Sequence, residues 1–290
     1  MMKQTGKQER TRIEIVLNKG AEELLPQEAY QYAGPGLWIE EKDEESVVKC
    51  YPEDVEGFLR VLHESGVRIK DFRSEKEELQ DYVELTKRHF RPLRIGGLTI
   101  VSPWEKKGTG KSCIIVEPGM AFGTGRHEST KLMIKLMESL EMAGKRVLDV
   151  GCGSAILALY AAHLGARKVF AVDSDIDAVV SARRNTQLNR MSRIRLACVD
   201  ARNLKGRFDV VLANLDIRTF QACATHLRTL LNNNGVLIVS GILRKERKLV
   251  PPLFESLSLI RVETKNSWCG FVFERQEADR PGGEGVLSGN

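Results

Sequence analysis

Residues 147–155 read Val-Leu-Asp-Val-Gly-Cys-Gly-Ser-Ala. An apolar strand, 146–150, breaks at Gly151 and Gly153. It is followed by Ile156, Leu157, Leu159, Tyr160 and Leu164 at helical spacing. The pattern is strand, tight turn, helix. Glycine lets such a turn reach positive φ and lets a ligand lie against bare backbone. The unpaired N–H groups of the helix start then face that ligand. A second strand, 168–172, ends in Asp173. In nucleotide-binding sheets an acid at that strand tip, about 20 residues beyond the glycines, holds a ribose diol. The plain alternative is an ordinary strand-to-helix turn.

The residue types select among nucleotides. A dinucleotide site wants a small residue at the sixth position of G-x-G-x-x-G, so that the helix can approach a pyrophosphate. That position is Ile156. Asp149-x-Gly151-x-Gly153 followed by a bulky residue suits a ligand without pyrophosphate. S-adenosyl-L-methionine, an adenosine joined to an amino acid by a sulfonium, is such a ligand.

With 290 residues the chain can hold two domains and a large core. Its 42% hydrophobic and 29% charged residues place it in the soluble globular class. Forty-four basic against 39 acidic residues leave a net charge of +5, which allows an anionic partner without demanding one. Six cysteines (50, 113, 152, 198, 223, 269) are widely spaced with no C-x-x-C pair, as expected of reduced thiols in a cytoplasm. The five histidines are scattered too, so no metal set is expected. Residues 1–12 lack the apolar stretch of a signal peptide, and no apolar run approaches the ~20 residues of a membrane span.

Along the chain, residues 1–10 and 277–290 are expected to be disordered. Residues 11–74 read β-α-β-β-α-β, the split pattern of a small ferredoxin-like α+β domain. Its strands are 12–17, 37–41, 46–51 and 67–72, and its helices 21–32 and 52–65. It carries no catalytic constellation. Substrate recognition is one reading of it, a stabilising appendage the other. Residues 75–97 read as a helical linker whose apolar side is Leu79, Tyr82, Val83 and Leu85. A strand pair, 98–101 and 112–116, then flanks the loop 106–110. The stretch 117–130 is glycine-rich, places Phe122 between glycines, and leads into a helix over 128–140; such a loop beside a cofactor turn covers or lines the site.

From 146 onward strands and helices alternate. Strands are expected at 146–150, 168–172, 193–199, 208–213, 235–240, 259–264 and 268–274. Helices are expected at 154–164, 175–189, 217–231 and 244–257. This is an α/β, doubly wound, mostly parallel sheet. Its last two strands are joined so directly that they must form an antiparallel edge hairpin. Seven strands ending in that hairpin is a Rossmann-like class I methyltransferase layout over 98–276.

These residues together resemble a family. Pro118-Gly-Met-Ala-Phe-Gly-Thr-Gly-Arg-His-Glu-Ser-Thr130, then Asp149-Val-Gly-Cys-Gly-Ser, Ala213-Asn-Leu, Ser240-Gly-Ile-Leu243 and Trp268 look like the methyltransferases of ribosomal large-subunit protein eleven, the PrmA family. The likeness runs over about 80–275. It implies cofactor contacts at Thr130, Gly151, Asp173 and Asn214, a methyl-transfer cleft lined by Phe122, Gly123, Thr124 and Gly125, and an N-terminal domain that captures the ribosomal protein. The chain departs from the family at Ala155, where the family has glycine. It departs also at Ser129, Tyr82, Thr86 and Asp216, and its N-terminal domain looks short.

Methyl transfer from a sulfonium is an in-line displacement that needs alignment and a dry cleft rather than a metal. Asn214, Leu215 and Phe122 are the expected catalytic residues. Asn214 at the end of the fourth strand is placed to accept an amine N–H, with backbone carbonyls of Asn214 and Leu215 helping. Its plainer role is a cofactor contact or turn former. Asp149, Gly151, Gly153, Asp173, Thr124, Gly125, Thr130, Asn214 and Asp200 are the expected cofactor-binding set, Asp200 through the adenine amino group or else as a solvated turn acid. Asp216 is expected either to cap a helix or to attract a cationic substrate. His127 reads as a loop-ordering hydrogen bonder rather than a base.

The arginines 183, 184, 190, 193 and 195 form a solvated face, or a weak contact with ribosomal RNA or an acidic protein. The expected protein is thus a cytoplasmic, monomeric methyltransferase of lysine side-chain or N-terminal amines on a ribosomal protein. A nucleic-acid or small-molecule methyltransferase and a silent cofactor-binding module are the competing readings. Asn214-Leu-Asp-Ile differs from the Asn-Pro-Pro-aromatic of base-modifying enzymes, which disfavours adenine chemistry.

Overall fold

Strand β1 (Glu9–Asn18) opens a four-stranded sheet. It is followed by a 3-10 turn (Ala21–Leu24), α1 (Gln27–Tyr32), β2 (Leu37–Glu41), β3 (Glu45–Cys50), α2 (Val55–Glu64) and β4 (Ile69–Glu78). The computed structural model describes residues 9–33, 37–78, 91–105, 113–117 and 125–276. The sheet order is β2-β3-β1-β4 with every neighbouring pair antiparallel, the split βαβ arrangement expected from the pattern. Ile13, Ile15 and Leu17 alternate onto one face and pack in a core with Phe58 and Leu62 of α2. Asp54 starts α2 by accepting from Gly57 N at 2.9 Å.

One boundary differs from expectation. Residues 74–78 continue β4 instead of starting a helix. Their charges alternate, and the register sets Arg12 opposite Glu75 and Arg10 opposite Glu77. Arg12 pairs with Glu75 at 2.7 Å and also with Glu77, so cross-strand charge decides in favour of strand. Leu79, Tyr82, Val83, Leu85 and Thr86 lie outside the described residues, as do the loop 106–110 and the termini 1–8 and 277–290.

A three-stranded sheet comes next: β5 (Leu93–Ile95), β6 (Leu98–Val101) and β7 (Cys113–Ile115). The expected pair is present and runs parallel, while β5 occupies part of the stretch read as linker. Gly96, at φ 53, turns β5 into β6, and Glu138 accepts from Gly97 N at 2.8 Å.

The large sheet is built from β8 (Arg146–Val150), β9 (Lys168–Asp173), β10 (Ile194–Cys198), β11 (Phe208–Asn214), β12 (Leu231–Leu243), β13 (Ser258–Lys265) and β14 (Trp268–Glu274). Its helices are α3 (Glu128–Glu138), α4 (Ile156–His163), α5 (Ile176–Leu188), α6 (Ile217–Thr229) and α7 (Val250–Leu253). The order is β10-β9-β8-β11-β12-β14-β13, with β8 to β12 parallel and β14 antiparallel to both neighbours. Helix was expected over 244–257. Instead a 3-10 turn, Arg244–Leu249, precedes the four-residue α7, whose Pro251 and Pro252 supply no N–H for a longer helix.

Alternation along the strands divides the core. Val147, Val169, Val210 and Ile238 face α3 and α4, while Leu148, Val150, Val211 and Val239 face Phe220 of α6 and Phe254. Helix α4 is apolar all round because α3 and the sheet bury it from two sides.

One polar pair ties the small sheet to the large one. Buried Asn185 on α5 accepts from Glu117 N at 2.8 Å and donates to the Ser154 carbonyl at 2.9 Å. One turn on, Asn189 accepts from Ile115 N at 2.8 Å and donates to Ile115 O at 2.6 Å. The chain entering the glycine-rich loop is thereby fastened to the glycine turn. Removing one member strands two main-chain groups, each worth roughly 1–3 kcal/mol. Asn185→Ala is therefore expected to lower unfolding free energy by about 2–4 kcal/mol in a urea titration; a change below about 0.5 kcal/mol would remove the clamp from the account.

Candidate active site

The site grows from the C-terminal end of β8. Gly151 has φ 66, where an L side chain is strained, and a Cβ there would stand 2.4 Å from Leu215 Cδ2. Gly153 has φ 51 and donates its N–H to Asp173 Oδ2 at 2.9 Å, so the turn is pinned to the tip of β9. Ala155, at the N-cap of α4, also has positive φ, 62, and offers no side-chain cap. Left-handed geometry costs an alanine about 1–2 kcal/mol. Its methyl is fully buried, worth about 0.8 kcal/mol, and it avoids the chain entropy of glycine, about 0.5–1 kcal/mol, so alanine is tolerated at this left-handed position.

Asp149 caps the helix from the strand, accepting from Ala158 N at 3.0 Å through Oδ2. Burial pushes its carboxyl up to about 7, against the Ala158 bond that pulls it down. Its Oδ1 is buried without a partner. Asp173 is raised as well, first by burial, while N–H groups of Gly153 and Asp175 oppose this. Asn214, nearly buried at the end of β11, donates to Thr130 Oγ1 at 3.5 Å, and its Oδ1 has no partner. The next residue, Leu215, leans over Gly151. Its carbonyl lies 2.4 Å from where a Cβ on Gly241 would stand, so only glycine, here at φ 85, lets β12 pass so close.

Gly151, Gly153, Asp173, Asp200, Leu215 and Asp216 share one cleft of about 740 Å³ at the C-terminal ends of the strands. Asp149, Thr130 and Asn214 are buried and do not line it. Asp200 engages Arg202 through both oxygens, at 3.0 and 2.7 Å, which holds it down at about 2. Asp216 is the N-cap of α6: its Oδ1 accepts from Arg218 N at 2.8 Å and Thr219 N at 3.0 Å. Gly125, at φ 84, packs so closely on Ile100 and Ile156 that a Cβ would stand 2.4 and 3.1 Å from them. Phe122, Gly123 and Thr124 lie outside the described residues.

His127 is a structural residue here. Ser129 N donates to Nδ1 at 3.2 Å and Ser129 Oγ lies 2.6 Å away, which makes Nδ1 the acceptor and assigns the ring proton to Nε2. The ring lies near the Leu25 main chain of the N-terminal sheet domain and meets Trp268 edge-on at 4.5 Å. Burial lowers its pKa to about 4. Sequence reasoning missed this junction, the Asn185 clamp and Glu28 of α1, which lines the same cleft. No spacing rule links residues 25–28 to 127. The arginine cluster is divided: Arg184 sits 3.8 Å from Glu117, and Arg193 donates to Ala166 O at 3.1 Å.

The residues fit S-adenosylmethionine. Bare backbone at Gly151 and Gly153 borders the cleft, Asp173 stands at its second strand tip, and two buried acceptors, Asp149 Oδ1 and Asn214 Oδ1, have no partner. The sheet order with its reversed β14 and the cleft at the strand ends define a class I methyltransferase. A crystal structure of a ribosomal protein L11 methylase from Lactobacillus delbrueckii subsp. bulgaricus superposes with TM-score 0.61 at 28% identity, over 65% of this chain and all of that one. A ribosomal protein L11 methyltransferase of Thermoanaerobacter sp. is 30% identical across 90% of each chain. That of Caldicellulosiruptor bescii is 32% identical across 90% of this chain and 93% of its own. The profile of the ribosomal protein L11 methyltransferase family (PrmA) matches residues 5–276, and the chain belongs to that family. The match begins well before residue 80, so it takes in the N-terminal sheet as well. The chain is accordingly an S-adenosylmethionine-dependent methyltransferase. Among the described residues no helix is long and apolar enough to cross a membrane.

Two outcomes test this geometry. Asp216→Ala removes a helix cap and is expected to cost about 1 kcal/mol in thermal unfolding; an unchanged melting temperature would exclude the cap role. Because the folded His127 pKa lies below the unfolded value of 6.5, its contribution is complete above pH 6.5 and is lost as pH falls toward 4. Wild type should therefore exceed His127→Asn in stability by a constant margin above pH 7. That margin should shrink, on the order of 3 kcal/mol, on descent to pH 4. A margin flat over that range would mean a ring that ionises normally.

Proposed function

We propose that the chain methylates lysine side-chain or N-terminal amines of a ribosomal protein, large-subunit protein eleven, using Asn214 to orient the amine. The single observation that carries this reading is the partnerless Asn214 Oδ1, buried at the end of β11. Family membership and the printed names of the relatives support the acceptor.

When bound, S-adenosylmethionine supplies an activated methyl group on sulfur. The chain's own residues do the rest. Gly151 and Gly153 offer backbone to the cofactor's amino-acid part, and Asp173 accepts from its ribose. Asp149 supplies its free oxygen beneath the turn, and Thr130 orients the Asn214 amide. An acceptor lysine is cationic in water, with a pKa of ~10.4. Burial favours its neutral form. Asn214 Oδ1, an uncharged acceptor, holds one N–H and turns the lone pair toward the methyl without drawing the amine back to ammonium, as a carboxylate would. Asp216 spends its oxygens on the α6 N-terminus and on Thr219, which keeps its charge committed away from the amine. Phe122, Thr124 and Gly125 complete the cleft in this reading, and Leu215 lends a carbonyl. Asp200, committed to Arg202, borders the adenine end.

The test uses tritiated S-adenosylmethionine with the purified protein and a ribosomal protein extract. Label in one small ribosomal protein band is the expected result, and Asn214→Ala should lower kcat by about 10²-fold or more with cofactor binding retained. Label confined to RNA, or full turnover by Asn214→Ala, would defeat the acceptor and the role assigned to Asn214 respectively.

A further inference from the structure

The two ends of the large sheet differ in charge: the cleft end mixes acids with Arg202 and Arg218, and the far end is mainly cationic. The cleft end carries Asp173, Asp200 and Asp216. The opposite end carries cations at the strand starts: Arg193 before β10, Lys168 in β9, Arg146 in β8 and Arg207 before β11, with Arg275 just past antiparallel β14. Adjacent strands lie about 4.8 Å apart, so this row crosses on the order of 25 Å. Arg146 rests 4.9 Å from the centres of both Phe170 and Phe208, and Lys168 rests 5.3 Å from Phe170. Rings hold these cations in place without cancelling their charge.

Beside the row is a second pocket, of about 370 Å³, lined by Arg207, Arg228, Arg275, Thr225, Thr229 and Ser256. Arg207 Nη1 and Arg275 Nη1 both donate to the Leu231 carbonyl, at 2.9 and 3.1 Å. The two nitrogens therefore lie within about 6 Å of each other. Arg228 donates to Ser256 Oγ at 3.2 Å and to Thr225 Oγ1 at 3.3 Å. Among the described residues none of these three guanidinium groups has a carboxylate partner. Asp209, the acid at this end of β11, is taken by Arg146 N and Asn232 Nδ2, both at 2.7 Å. Three like charges held together by neutral acceptors repel one another, and an anion relieves that repulsion. Planar guanidinium forks and the hydroxyls of Thr225 and Ser256 offer donors from several directions, which suits the oxygens of a phosphate group; the Thr229 hydroxyl donates instead to the His226 carbonyl.

We propose that this pocket is a phosphate-group site and that the row beside it carries the backbone of an RNA strand, at the opposite end of the sheet from the methyl-transfer cleft. A free phosphate would need the pocket alone; the continuation of cations along the strand starts favours a polyanion. The described aromatics at this end, Phe170 and Phe208, lie under cations rather than open to bases, so binding is to backbone and independent of sequence. The inference does not depend on which amine the enzyme methylates.

Fluorescence anisotropy of a labelled single-stranded RNA with the full chain, over a series of salt concentrations, tests it. Wild type is expected to bind with a steep salt dependence. The triple variant Arg207→Gln/Arg228→Gln/Arg275→Gln should bind about ten-fold or more weakly, with a log–log salt slope smaller by about two, while methyl transfer is unchanged. Arg228→Gln alone, on the half-exposed face of α6, should weaken binding in the same direction and answers the question should the triple variant unfold. Inorganic phosphate that raises the melting temperature without any RNA binding would overturn the RNA assignment and leave a free-anion site. RNA affinity equal in wild type and variants, or no binding of either anion, would overturn the proposal.

Discussion

A buried parallel strand must hand its chain to a helix within a few residues, and the first N–H groups of that helix need acceptors. At the end of β8 this is met by Gly151 and Gly153 at positive φ and by Asp149, which reaches from the strand to Ala158 of α4. The solution leaves bare backbone facing a cleft and a buried carboxylate with one oxygen unused. Leu215 and Gly241 are shaped around it: the leucine fills the space above Gly151, and glycine at 241 lets β12 run against the Leu215 main chain. The cofactor end of the fold is thus a consequence of how one strand stops.

The walls around the cleft are joined by parts of the chain far apart in sequence. The Asn185 and Asn189 side chains fasten residues 115–117 to the glycine turn. His127, neutral because it is buried, starts α3 and lies near the main chain at Leu25, so the N-terminal sheet domain meets the large-sheet domain beside the loop. Glu28 of α1, three residues beyond Leu25, lines the cleft. The N-terminal sheet domain therefore borders the cleft through α1.

Much of this was legible in residue order. The strand 146–150 fell where expected, and each of the seven large-sheet strands lay within a few residues of its expected bounds, because apolar alternation and glycine breaks are local signals. The reversed edge hairpin followed from a connection too short for a crossover. Residues 74–78 misled because alternating Glu and Lys are read as a solvated helix until Arg12 is seen opposite them. Residues 244–257 misled because apolar spacing continued through two prolines. At the site, the turn glycines, Asp173 and the cap at Asp216 could be named from spacing. The surroundings of His127 and the partners of Asn185 could not, since both depend on long-range contacts that no periodicity encodes.

Sequence by itself determined the four- and seven-stranded sheets, the order of their elements, the glycine turn and the kind of cofactor that turn accepts, since those rest on local conformation and on residue volume at Ile156. Only the tertiary structure decided which polar groups end up satisfied and which are left open. Asn214 Oδ1 and Asp149 Oδ1 have no partner, Asp200 is consumed by Arg202, and Arg207 and Arg275 are forced together on one carbonyl. Such outcomes depend on which distant surfaces meet when the core closes, and burial then fixes their energetic weight, because a charge or hydrogen-bonding group matters most where water cannot reach it.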